Sequence, residues 1–514
     1  MKRKYQILAL AILTSVAVGT YSCTGDFEEI NTNKTKLTEL DELGTENAFA
    51  AAQYRSIQAS WQTFQSLFAD LQGQYFANIA QNFSSDRNVM VGNWLNGAWS
   101  GFYGTAVPAL IGVLENTGPG GKYENPGKFA MASIWKVYMY LPRTDYWGPI
   151  PYSQVGNGGP EVPYDSQEAI YKDFLTTLKT SAATLQTYKG TKIFGTVDQI
   201  YAGDVDKWIL FANTLRLRVA MRMSKVEPAL AKTEAESAVA AGVLTTNAHD
   251  AFLKVNANSF NPMNQATAWN EFRMSAAMES VLKGYSDPRI SKYFAPVPGT
   301  SSFKGLRNGY TQGELGAPEN NAGATSNVAD AFLPAVQSAN PFAIMYASEA
   351  YFLRAEGALK GWAMGGTAKE FYEKGIETAF KQWGISDAAA ITAYTNGTTA
   401  PIALNDMAKT PALSDIPVKF SADAGKQLEQ IITQKWLANY PNGHEAWAEY
   451  RRTGFPKLYA RINSDNPDSP KDAVVRRTPF VLGEQQTNAK AVTDAITKLG
   501  GEDKSSTRLW WDKP

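Results

Sequence analysis

Past Leu40 the apolar residues recur at three- and four-residue intervals instead of alternating, and this spacing commits most of the chain to α-helix. Within residues 342–362, Ile344, Ala347, Tyr351, Ala355 and Ala358 step along one helical face. Gly365 and Gly366 interrupt the run, Thr367 offers an N-cap hydroxyl, and Tyr372, Ile376, Ala379 and Trp383 resume it. The small residues Ala355, Gly357 and Ala358 let a second helix approach closely, so the pair has the size of one tetratricopeptide repeat. Residues 204–223 read as another helix, with Trp208, Ala212, Leu215 and Val219 on one side and Arg216, Arg218 and Arg222 on other faces. Residues 229–243 are alanine-rich and can pair with that helix, and residues 47–69 and 170–185 also read as helical. The expected fold is mainly α.

This packing must stand without disulfides, because the 514-residue chain contains 1 cysteine. Lys2, Arg3 and Lys4 precede a short apolar stretch, QILALAILTSVAVGT, too short for a membrane span of about 20 residues. Residues 1–22 therefore read as a secretory signal peptide. Cys23 follows directly and fits a bacterial lipobox, although Thr20 stands where such a motif usually has Leu. Lipidation there would anchor the chain, since each buried methylene adds about 0.8 kcal/mol of membrane affinity. Residues 23–40, opening with Asp26, Glu28 and Glu29, are expected to form an acidic tether, and 41–514 a single helical domain.

Lys+Arg and Asp+Glu both number 49, so no global charge draws the chain to nucleic acid. Aromatic residues reach 12%, and their faces suit the apolar faces of sugar rings. The helices are separated by long loops: the aromatic, Pro/Gly-punctuated stretch 146–152 (YWGPIPY), and the polar stretches 259–270 and 296–330. Loops of this length inside one domain point to function. Catalytic and metal motifs are scarce. His249 and His444 are the 2 histidines, and the segment starting at His444 (HEAWA) lacks the second His of a zinc helix. Residues 118–122 (GPGGK) lack the spacing and the Ser/Thr of a phosphate loop and read as a turn. No G-x-S-x-G elbow occurs. Glu349 and Glu356 share a helix face, which cannot place two acids across a sugar, so helix-capping or pairing with Arg354 and basic residues elsewhere is expected of them. No cofactor or metal is expected, and the chain reads as a binding protein rather than an enzyme.

Ordered segments along nearly the whole mature chain resemble the SusD/RagB family of outer-membrane nutrient-binding lipoproteins, in its second SusD-like branch. They are 23–31 (CTGDFEEIN), 144–153 (TDYWGPIPYS), 208–222, Asp287-Pro288-Arg289, 346–357 (YASEAYFLRAEG), 433–456 (TQKWLANYPNGHEAWAEYRRTGFP), 477–480 (RTPF) with Glu484 and Asn488, and Trp510-Trp511-Asp512. The resemblance implies a scaffold of tetratricopeptide-like helix pairs carrying a loop-rich ligand-binding region. It also implies a lipid-anchored, cell-surface position and a SusC-like, TonB-dependent transporter as partner, for which the lipoprotein acts as a hinged lid. Most of these motifs read as structural: Arg289 tied to a carboxylate, Arg451 and Arg452 paired internally. The implied ligand is a glycan, with peptide or another nutrient as the alternative, as in RagB-like relatives. Loop residues are the expected contacts: Asn93, Trp94 and Asn96 ahead of a helix starting near Trp99, Trp269 and Asn270 before Asp287, and Asn308 and Tyr310 after it.

Overall fold

The computed structural model describes residues 40–156 and 161–514. The signal segment, Cys23 and the tether up to residue 39 lie outside the described residues. Residues 46–514 form one compact unit.

The helical scaffold consists of α1 (Pro126–Trp147), α2 (Gln167–Gln186), α3 (Val205–Arg222), α4 (Pro228–Ala241), α5 (Ala347–Leu359), α6 (Ala368–Gln382), α7 (Ala424–Ala438) and α8 (Gly443–Thr453). Their starts are written locally: the side chains of Asn125, Ser166, Asp204, Asp423 and Asn442 each accept a first-turn N–H that has no partner inside its helix. Thr367 opens α6 with a reciprocal capping box to Glu370. Consecutive helices pack together from α1 to α4; α5 packs on α6, both meet α7, and α5 also meets α3. A Cβ on Gly375 of α6 would lie 2.8 Å from the Phe352 ring of α5, so the glycine sets that close approach.

The segment 342–345 departs from the helical expectation. Phe342–Met345 is strand β6, antiparallel to β4 (Ala251–Leu253), and the helix begins only at Ala347. A strand partner almost 100 residues away outweighs the local spacing of Ile344. Two more small antiparallel pairs occur, β1 (Phe76–Asn78) with β5 (Phe272–Met274) and β2 (Ile150–Pro151) with β3 (Tyr164–Asp165). The rest of the unit is loop and short helix, including Pro262–Thr267 and Gln312–Leu315 inside the two long polar stretches.

The three arginines of α3 do not face solvent. Arg216 pairs with Glu234 of α4, Arg218 donates to Glu349 of α5 at 2.6–2.8 Å, and Arg222 reaches Asp145 of α1 and Glu445 of α8, both at 2.6 Å. Arg452 of α8 binds Glu356 of α5 and Glu449, and Lys435 of α7 lies 3.4 Å from Glu449. One buried charge cluster thus ties α1, α3, α5, α7 and α8 together. Burial alone would raise the Glu449 carboxyl; Arg452, Lys435 and Arg222 outweigh it and hold the group far below its ordinary value. Glu349 and Glu356 are therefore paired by arginine as expected, but not by Arg354. That side chain turns away to donate Nε and Nη2 to the Met364 carbonyl. Arg289 is bound by both oxygens of Asp287. Arg451 donates to the backbone carbonyls of Asp145 and Arg476 and lies over the Trp447 ring.

Candidate functional site: a tryptophan-bearing loop face

Eleven tryptophans belong to or pack against the main core; of the 13, Trp94 and Trp269 alone do neither. Their positions are built as follows. The helix Glu42–Gln58 stops short of Ser60, whose φ of +54° turns the chain before the π-helical segment Gln62–Ala69. The helix Gly92–Gly101 passes this corner, with Gly101 beside Ala59 and Ser60. Asn93, Trp94 and Asn96 thus lie in the first turns of a helix rather than ahead of one. The segment is apolar enough from Leu95 to Trp99 to bury one face, and that burial draws its start back to Gly92.

Asn93 is exposed, and Trp94 is partly exposed with its ring edge-on to Phe83 at 5.0 Å. The Asn96 side-chain oxygen accepts the Gly483 N–H at 3.1 Å, which pins the short helix Leu482–Thr487 and leaves the amide NH2 of Asn96 outside that bond.

On the other side of the 60–62 corner, Gln62 donates to both oxygens of Glu271, at 2.8 and 2.7 Å. Half-burial raises the Glu271 carboxyl above its ordinary value, and the Gln62 bonds partly offset this. Trp269 precedes it on a turn held from both ends. Its N–H bonds to Ala266 after the short helix, and the Glu271 carbonyl accepts from Ile79 at the end of β1. Asn270 has φ +58°, a left-handed conformation that Asn tolerates, and its side-chain oxygen accepts from Arg273 at 2.5 Å. Trp269 is 48% exposed, on a turn whose backbone is hydrogen-bonded at both ends. Gln62, Glu271 and Arg273 were not singled out from sequence; only the fold brings residues 209 positions apart into one hydrogen-bonded pair.

Asn308 and Tyr310 are placed differently from expectation. Asn308 is buried and donates its amide to the Phe76 carbonyl and to Asp86, both at 2.8 Å. Tyr310 is 4% exposed and packs with Ala77, Ile79, Leu306 and Leu315 in a small satellite core. Between them Gly309 has φ +90°, and a Cβ there would lie 2.8 Å from the Asn463 carbonyl. The loop folds inward against β1, because β1 leaves a carbonyl and an apolar face that it satisfies. Both side chains are taken up within the fold.

Among the described residues no group of three or more His, Cys, Asp or Glu side chains is arranged to hold a metal ion.

The chain matches the SusD-like family, described as Susd and RagB outer membrane lipoprotein, over residues 28–512. A chitin-binding SusD homolog from Flavobacterium johnsoniae is 36% identical, with a TM-score of 0.83 over 91% of this chain and 98% of that one. A SusD homolog from Bacteroides vulgatus is 31% identical, with a TM-score of 0.82 over 92% and 99%. A SusD-like protein from Bacteroides thetaiotaomicron is 32% identical, with a TM-score of 0.82 over 91% and 99%. No curated protein sequence matches the chain. With a family match over nearly its full length and solved relatives above 30% identity superposing on the same helical scaffold, the chain belongs to the SusD/RagB family of outer-membrane lipoproteins.

Proposed function

We propose that this protein is anchored through lipid on Cys23 at the cell surface, captures oligosaccharides on its tryptophan-bearing loop face, and delivers them to a SusC-like, TonB-dependent transporter. The observation that carries the reading is the exclusion of Trp94 and Trp269 from the core, Trp94 edge-on to Phe83 and Trp269 two residues before Glu271, which accepts from Gln62. Aromatic faces stack on the CH faces of sugars, and the neighbouring Asn93, Asn96 and Asn270 suit hydroxyls. Such stacking contributes on the order of 0.5–1.5 kcal/mol per ring by analogy with aromatic pairs. The ligand is bound, not cleaved: Glu349 and Glu356 are committed to Arg218 and Arg452. Chitin oligosaccharides are the first ligands to screen, given the chitin-binding relative.

The test is a glycan array and a peptide panel on the purified protein, followed by titration of Trp94→Ala and Trp269→Ala with the best ligand. Losing one platform should weaken binding roughly tenfold, about 1.4 kcal/mol. Affinity for a neutral ligand should change little with salt. Unchanged affinity in both variants would reject the site, and peptide-only binding would reject the glycan reading. Cys23→Ala should release the protein from the outer-membrane fraction.

A further inference from the structure

A cavity of about 230 Å³ opens between α1, β6 and the start of α8, and its lining includes neither Trp94 nor Trp269. Ala331 and Pro341, both exposed, lie at its mouth. The wall is mainly apolar, with Tyr138, Met139, Met263, Phe332, Phe342 and Met345 bordering it. Most of its polar groups are unavailable to a ligand. Glu349 is held by Arg218, Gln65 donates to the Pro441 carbonyl, and Gln382 donates to the Ala438 carbonyl. The indole nitrogens of Trp61 and Trp383 are sealed within the wall, out of reach of anything inside the cavity. Arg143 has Nε and Nη1 sealed in the same way and gives Nη2 to the Ser56 carbonyl. A charged ligand would therefore meet no open counter-charge, and burying it unpaired is costly.

Two half-buried side chains in the lining, both at the start of α8, remain open. The first is His444. Tyr146 gives its hydroxyl hydrogen to the Phe64 carbonyl at 2.5 Å, so at 3.0 Å from His444 Nδ1 it can only accept. The ring proton therefore sits on Nδ1. Burial, Arg143 and Arg451 push the imidazole pKa well below its ordinary 6.5, so the ring is neutral and Nε2 keeps its lone pair. Nε2 has no partner among the described residues and is not one of the sealed atoms. The second is Asn442. It caps α8 by accepting the Glu445 N–H on its side-chain oxygen at 3.2 Å, which leaves its NH2 outside the cap. That NH2 likewise has no partner among the described residues and is not sealed. The fold thus fixes one acceptor and one donor on the same stretch of an apolar wall.

We infer that this cavity is a second binding site, distinct from the tryptophan face, for a small uncharged phenol. Its ring packs among the aromatic and methionine side chains, where thioether and ring contacts are favourable. Its hydroxyl donates to His444 Nε2 and accepts from the Asn442 NH2. A hydroxyl is the smallest group that does both. Apolar cavities of roughly 150 Å³ take up benzene, and drug-sized ligands begin to fit at roughly 300 Å³, so the volume suits one substituted ring.

The test is methionine-methyl NMR of the detergent-solubilised full chain, titrated with 4-methylphenol, 4-methylanisole, toluene and 4-methylbenzoate. 4-Methylphenol should shift the methyl signals of Met139, Met263 and Met345, which border the cavity, so uptake into detergent is not mistaken for binding. It should bind at least tenfold more tightly than toluene, which has no hydroxyl, and than 4-methylanisole, which only accepts. The anionic 4-methylbenzoate should bind more weakly still. His444→Phe should abolish the preference for 4-methylphenol over toluene while toluene binding persists. Ala331→Trp, at the exposed mouth, should block entry and keeps the test decisive if His444→Phe fails to fold. Trp94→Ala and Trp269→Ala should leave this binding unchanged, whatever they do to oligosaccharides. The inference is overturned if no ligand moves the three signals, if 4-methylphenol and toluene bind alike, or if the carboxylate binds best. It is equally overturned if the preference survives in His444→Phe, if Ala331→Trp binds like the parent, or if loss follows the surface tryptophans instead.

Discussion

Arg222 and Arg143 are both buried guanidinium groups in one helical scaffold, and the fold treats them in opposite ways. Arg222 on α3 has a carboxylate on each terminal nitrogen, Asp145 and Glu445, both at 2.6 Å. Burial alone would lower its pKa; Glu445 and Asp145 outweigh burial and raise it. Arg143 on α1 has two aromatic rings and one carbonyl, and burial brings its pKa down to about 9. Both stay charged at neutral pH. Charge is paired where it joins five helices, and Arg143 is held instead by rings and a carbonyl.

The sharpest way to break this comparison is to remove the paired cation. Arg222→Met leaves Asp145 and Glu445 buried without their main partner and should cost about 3–5 kcal/mol, read as a fall in the urea midpoint. Acid should attack the same cluster. Glu349 and Glu449 have depressed pKa values in the folded state, so their contribution is complete above the ordinary value of 4.5. It is lost as pH falls below 4.5 toward the folded values, so the urea midpoint should drop across that window. In the loop region, Asn308→Ala should cost about 1–3 kcal/mol, because the Phe76 carbonyl and Asp86 lose a buried donor. Arg143→Met should change stability by only about 1 kcal/mol or less, since an unpaired buried cation is replaced by an apolar chain of similar length. If it costs as much as Arg222→Met, the contrast between the two arginines fails. Smallest of all, Trp269→Ala should move stability by less than about 0.5 kcal/mol while it weakens oligosaccharide binding roughly tenfold.

Reading the sequence worked best where structure is local. The spacing of Tyr372, Ile376 and Ala379 and the Thr367 cap mark α6, because both signals act within one helical turn. It failed where a distant segment decides. Ile344 fits a helical face but pairs as strand with residues 251–253. Glu349 and Glu356 pair with basic residues elsewhere, as expected, but which ones, 131 and 96 positions away, only the fold shows. Among the loop candidates, residue type could not distinguish Trp269, held out on a fixed turn, from Tyr310, folded into a satellite core. The one clue lay in Gly309, whose positive φ lets the loop pass close to the Asn463 carbonyl.

The sequence by itself determined that this chain is helical, that helices start at Asp204 and Thr367, and that it carries the ordered motifs of the SusD/RagB family. Periodicity, capping and motif order are properties of contiguous residues, so they survive without a fold. Only the tertiary structure decided which tryptophans remain outside the core and which arginines find carboxylates. Burial and pairing depend on what the rest of the chain brings within a few ångströms, and that proximity is written in no single segment.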